Sequence, residues 1–101
     1  GMHCVHTINN ACLTVFGLAL GGGDFSRTTS LLVAMGLDND CTAATAGSIV
    51  GAIVGKDSIA PHWIRPFHDT VHTYMNDIKE LQLGDVIRRF VKLAENCPEK
   101  L

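Results

Sequence analysis

Two carboxylates, Asp38 and Asp40, stand two residues apart in the stretch Gly36-Leu37-Asp38-Asn39-Asp40-Cys41-Thr42. In this chain it is the best place to look for chemistry. In a loop, side chains at i and i+2 can converge on one divalent cation, and hard carboxylate oxygens suit Mg²⁺ or Mn²⁺. The same residues have an ordinary structural use. Gly36 suits the end of one helix, because glycine tolerates a positive φ there. Asp40, or alternatively Asp38, suits the N-cap of the next, a role that contributes about 1 kcal/mol. Cap and ligand both stand as readings of the pair. An EF-hand is excluded: with Asp38 as position one, Ala43 falls where that loop needs glycine and Ile49 where it needs glutamate.

Other candidates are weaker. His68 and His72 lie four apart beside Asp69. On a helix that spacing could bind zinc, but no third ligand is apparent, and Val71, Thr73 and Tyr74 favour extended structure. Gly21-Gly22-Gly23 lacks the Gly-Lys-Ser/Thr of a phosphate loop and reads as a turn. The four cysteines, Cys4, Cys12, Cys41 and Cys97, form no Cys-x-x-Cys pair, so neither a zinc ribbon nor a thioredoxin site is indicated. Cys12 and Cys41 lie in apolar helical contexts and are expected to be buried, reduced thiols. The chain reads as intracellular and cytoplasmic.

The elements that must position the acidic pair are helical. Ile8, Ala11, Cys12, Val15, Phe16, Ala19 and Leu20 recur at helical spacing and predict one buried face over Ile8–Leu20. Asn9 or Asn10 would cap that helix and the glycine triplet would end it. Asp24 would cap a second helix over about Phe25–Met35, with Leu31, Leu32 and Met35 inside. A third, Cys41–Val54, carries no charge, and Gly47, Gly51 and Gly55 recur every four residues. Interior glycines cost roughly 0.5–1 kcal/mol each relative to alanine, and close approach by a neighbouring helix is the natural compensation. This helix is expected to be central. Pro61 starts a short turn that includes Trp63, the only tryptophan and an expected core anchor, and Pro66 stops it. Asp77–Gly84 reads as a connector. In the last helix, about Gly84–Glu95, Val86, Ile87, Phe90, Val91 and Ala94 form the apolar face.

Composition bounds the rest. At 101 residues the chain is one domain or part of one. With 10 acidic and 8 basic residues its net charge is −2, which excludes a strongly basic nucleic-acid binder. Only 18% of residues are charged and 47% are hydrophobic, so a partner is expected to cover part of the surface. Gly1-Met2 reads as a cleavage scar before the native start, and no signal peptide is visible. No helical run reaches the roughly 18 apolar residues of a membrane span.

The segment Gly36-Leu37-Asp38-Asn39-Asp40-Cys41, followed by the small-residue run Thr42 to Ala52, resembles the C-terminal signature of the ADP-ribosylglycohydrolase family. That signature runs Gly-Gly-Asp-Thr-Asp-Thr and leads into an Ala/Gly-rich helix. Ile59-Ala60-Pro61-His62-Trp63 is similar to the family's Ile-Pro-x-x-Trp. The resemblance implies an all-α fold: an orthogonal helical domain of about four helices spanning residues 2–101, the C-terminal portion of a longer enzyme. It implies two Mg²⁺ ions at the mouth of a cleft. It also implies hydrolysis of the N- or O-glycosidic bond at the ribose C1″ of ADP-ribose conjugates. Carried over by position, Asp38 and Asp40 are metal ligands. The family's third ligand, a threonine, falls on Cys41, with Thr42 one residue further as a substitute, and Asn39 is a second departure. The acidic residues of the family's N-terminal half have no counterpart here.

Two readings from different classes follow. In the first the chain is the metal-binding C-terminal fragment of a hydrolase of ADP-ribosylated proteins or small conjugates, inactive alone. In the second it is a non-catalytic helical module that binds a partner or itself. Either way a homodimer or higher oligomer is expected, with small-residue faces of the Ile8–Leu20 and Cys41–Val54 helices at its centre.

Overall fold

A computed structural model of the chain describes residues 1–97. Its elements are α1 (Thr7–Gly21), α2 (Phe25–Met35), α3 (Asn39–Val54), a short 3₁₀ turn, the single turn α4 (Pro61–Ile64), a second 3₁₀ turn, β1 (Thr70–Met75), β2 (Ile78–Gln82) and α5 (Leu83–Glu95). They fall into two compact units, one covering Gly1–Trp63 and the other starting at Ile64.

In the first unit α1, α2 and α3 pack on one another. The centre is small: Leu32, Ala43, Ala46 and Val50 are buried, with Leu13, Leu18 and Met35 packed against the first three. Asp24 caps α2 as its position suggests, accepting from Arg27 N at 2.6 Å. Gly22, in the left-handed region, closes α1, and Gly36 closes α2 at φ 73°. Trp63, expected as a core anchor, is half-buried and fixed by specific contacts instead. Its Nε1 donates to Ser26 Oγ at 2.8 Å and its ring meets Phe25 edge-on at 5.8 Å.

Three expectations for these helices are corrected. The face of α1 expected inside is outside: Ile8, Ala11, Cys12, Val15, Phe16, Ala19 and Leu20 are all exposed, while Gly17 and Gly21 are buried. This helix is apolar on most sides, so periodicity could not choose between them. Backbone proximity did, because the glycine side lets α2 come closest. A Cβ on Gly17 would lie inside contact distance of the Leu32 side chain, and one on Gly21 would lie 2.9 Å from Thr28 Cα. Cys12 and Cys41 are accordingly exposed rather than buried. Third, neither Asn9 nor Asn10 caps α1. The helix starts earlier, and His6 Nδ1 accepts from Ile8 N at 3.2 Å. On α3, Gly47 and Gly51 meet Phe25 and Ile59 at ordinary van der Waals distances, so they are not the points of closest approach. The buried residues of α3 lie on one side, and Ile49 and Ile53 are exposed.

The second unit departs from an all-α fold. The segment expected as a connector holds β2, which pairs antiparallel with β1 in the register Val71↔Leu81 and His72↔Glu80. Asn76 and Asp77 turn the hairpin, with Asp77 at φ 60°. Asp69 then supplies the start of α5. Its carbonyl accepts from Leu83 N at 2.8 Å and its Oδ1 from Gly84 N at 2.9 Å, so two of the first amides of the helix are satisfied. The fold is therefore mostly helical, with five α-helices and one small sheet among the described residues. None of those helices is long and apolar enough to cross a membrane.

Candidate metal centre

The acidic pair sits where the chain leaves α2 and enters α3. Gly36 and Leu37 both have positive φ, 73° and 59°, and this double left-handed turn presents Asp38 at the start of α3. Leucine in that conformation costs roughly 1–2 kcal/mol. Asp38 occupies the N-cap position, and its carbonyl takes the first helical bond, from Thr42 N at 3.1 Å. Its side chain makes no capping bond. Instead Asp38 Oδ2 accepts from Asn10 Nδ2 on α1 at 2.5 Å. Of the two cap candidates, Asp38 is therefore the N-cap residue but serves through its carbonyl alone, its carboxylate turned across to another helix, while Asp40 lies inside the helix. Asp40, exposed in the first turn of α3, does gain from the positive end of that helix.

Oxygen atoms of Asp38 and Asp40 and the Sγ of Cys41 all lie within 4.8 Å of one another. Among the described residues no other group of three such donors converges. Thr42, the substitute third ligand, is buried on the inner side of α3, and its Oγ1 donates to the Asn39 carbonyl at 3.4 Å. Cys41, at the position of the third ligand, is gathered with the carboxylates. His68 and His72 do not share a helix. His68 has a left-handed backbone before β1, and His72 lies in the strand beside Glu80, 3.4 Å from Nδ1 to Oε1.

Donor chemistry decides which ion these residues suit. Two carboxylates with several retained waters are an ordinary Mg²⁺ environment. A thiol is a soft donor that adds little for that ion. The carboxylate pair thus fits one hard divalent cation, and among the described residues no second group of three His, Cys, Asp or Glu donors converges.

The same carboxylates act on Cys41. Hydrogen bonding to Asp38, then the negative charges of Asp38 and Asp40, hold its thiol above the usual cysteine range. Since the thiolate is the nucleophile, the exposed Cys41 is expected to react slowly near neutral pH. In a competition with iodoacetamide read by peptide mass spectrometry, Cys41 should be alkylated several-fold more slowly than Cys4, which is also exposed. Asp38→Asn should narrow that gap. Equal rates in the parent chain would show that the thiol does not feel the pair.

Asn10 is the site residue that the sequence did not reveal. It lies 28 positions from its partner, and nothing local marks it. Its Oδ1 is buried without a hydrogen-bond partner, so the side chain is held in place by the contact to Asp38.

A comparison with protein families matches the chain over residues 2–99 to the family described as ADP-ribosylglycohydrolase. No curated protein and no solved structure matches it.

Proposed function

We propose that this chain, which belongs to the ADP-ribosylglycohydrolase family, is the metal-binding C-terminal part of such a hydrolase and needs a second acidic cluster from outside the described residues to turn over. The observation that carries this reading is the Asp38 carboxylate, drawn off its own helix by Asn10 and converging with Asp40. Asp38 and Asp40 are the residues that would hold Mg²⁺. When bound, that ion supplies a charge that orients ribose hydroxyls and favours an attacking water. The part of the protein itself is to hold the two carboxylates together. Asn10 donates to one, both stand at the positively polarised amino end of α3, and the Gly36-Leu37 turn aims them. The substrate class is an ADP-ribosylated protein or small ADP-ribose conjugate, cleaved at the glycosidic bond. A reducing cytoplasmic setting suits four exposed, unpaired thiols.

The test is hydrolysis of ADP-ribosyl-arginine with Mg²⁺, by the chain alone and supplemented with the N-terminal half of a longer family member. No turnover is expected from the chain alone. Turnover that appears on supplementation should vanish in Asp40→Ala. Robust Mg²⁺-dependent hydrolysis by the isolated chain would refute the need for a second cluster. The alternative, a non-catalytic helical module, is favoured by Cys41 at the position of the family threonine. It gains ground if supplementation restores nothing.

A further inference from the structure

We propose that Cys41 is a third ligand of the Asp38–Asp40 centre and turns its preference from Mg²⁺ toward a thiophilic divalent cation of the Zn²⁺ class. The proposal rests on the reading of Asp38 and Asp40 as a metal-holding pair and concerns which ion they hold. The Sγ of Cys41 lies within 4.8 Å of an oxygen of each carboxylate. Asp38 and Cys41 are three apart at the start of α3, the spacing at which side chains meet across one helical turn, and the thiol already hydrogen-bonds Asp38. The neighbouring hydroxyl is otherwise engaged: Thr42 is buried, and its Oγ1 donates to the Asn39 carbonyl. The third donor that the fold brings to the pair is therefore sulfur.

That donor set disagrees with Mg²⁺. Mg²⁺ takes oxygen ligands in near-ideal octahedral geometry and dehydrates reluctantly, so a sulfur beside the pair gives it nothing. Zn²⁺ accepts both donor types together, sulfur at about 2.3 Å and carboxylate oxygen at about 2.0–2.2 Å. Asp38 is held by Asn10, whereas Asp40 and Cys41 are exposed and can make the small rotations that bring all three donors onto one ion. As the metal–sulfur bond forms, the thiol proton leaves to solvent. Sites with these donors hold Zn²⁺ more tightly than Mn²⁺ as a rule, so preference alone is not diagnostic. What Cys41 adds is the metal–sulfur bond, and that bond has its own optical signature.

The experiment is titration of the whole chain with Co²⁺, Cd²⁺ and Mn²⁺, in a background with Cys4, Cys12 and Cys97 changed to Ser. Zn²⁺ is a d¹⁰ ion without colour, so Co²⁺ and Cd²⁺ stand in for it, each giving an ultraviolet sulfur-to-metal charge-transfer band. Mn²⁺ stands for the hard ions and is read by electron paramagnetic resonance. A charge-transfer band is expected with Co²⁺ and with Cd²⁺, and it should be lost in Cys41→Ser and in Asp38→Asn. Cys41→Ser should weaken Cd²⁺ binding at least about tenfold, the loss that even an indirect partner of a metal causes, and leave Mn²⁺ binding unchanged. Circular dichroism checks that each variant folds, which the exposure of Cys41 favours. Mn²⁺ binding with no Co²⁺ or Cd²⁺ band would overturn the role of Cys41 and leave the carboxylate pair standing. A band unchanged by Asp38→Asn would also overturn it, since the thiol would then bind metal apart from the pair. Failure of all three ions to bind would overturn both this proposal and the metal-holding reading beneath it.

Discussion

Replacing Gly21 by valine is expected to lower the unfolding midpoint of the three-helix unit by at least roughly 12 °C, the largest effect of any single substitution outside the site. A Cβ at Gly21 would overlap the Thr28 side chain and lie 2.9 Å from its Cα, and Thr28 is fully buried. Backbone cannot yield as the tip of a flexible side chain can, so α1 and α2 must separate. Overpacking of a tight core costs about 1–3 kcal/mol and more where backbone must move, and about 3 kcal/mol is the reasonable figure here. Few buried residues hold this unit together, so there is little stability to absorb that loss. The control is Gly47→Ala. There the added methyl meets Phe25 at 3.6 Å, an ordinary contact. Removing an interior helical glycine should then raise stability by about 0.5–1 kcal/mol. Thermal melts by circular dichroism should move in opposite directions for the two variants. Equal and small effects would mean that α1 and α2 are not in backbone contact at Gly21.

That contrast shows which parts of this fold local pattern carries. The cap of α2 and the glycine breakers were legible, because they act through one or two residues, whereas the caps of α1 and α3 were not. Asp24 and the glycines after α1 and α2 do what their types suggest. The acidic pair was legible for the same reason: a spacing of two is a local fact, and although α3 already begins at Asn39, the structure gathers both side chains. The orientation of α1 was not. Its apolar residues nearly encircle it, and the outcome depended on a close approach to Leu32 and Thr28 on another helix. The strand β2 was hidden because Ile78-Lys79-Glu80-Leu81-Gln82 has only two apolar residues and becomes a strand by pairing with β1. Asn10 was hidden twice over, by distance along the chain and by its plausibility as a helix cap.

The second large effect concerns that asparagine. Asn10→Asp should destabilise the chain by about 2–3 kcal/mol at neutral pH, the cost of removing a hydrogen bond to a charged group and leaving an anion in its place. The substitution trades the amide donor on Asp38 for a third carboxylate in a partly buried position. The like charges around it raise the folded-state pKa of the introduced carboxyl. The folded state then binds more protons than the unfolded one, so the penalty is present in full at neutral pH. It shrinks as pH falls through the raised folded value, and a protonated carboxyl can again donate to its neighbour. A divalent cation should do the same work by another route. It neutralises the cluster and stabilises only the folded chain, by about 2.7 kcal/mol at a hundred times its dissociation constant. Asn10→Ala separates these terms: it removes the donor without adding charge, so its loss should be nearly independent of pH and less responsive to Mg²⁺. The measurement is chemical denaturation of both variants and the parent at pH 5 and pH 7, with Mg²⁺ or with a chelator. If Asn10→Asp is as stable as Asn10→Ala under all four conditions, the three side chains do not share one site, and the proposal that Asp38 and Asp40 hold a metal loses its support.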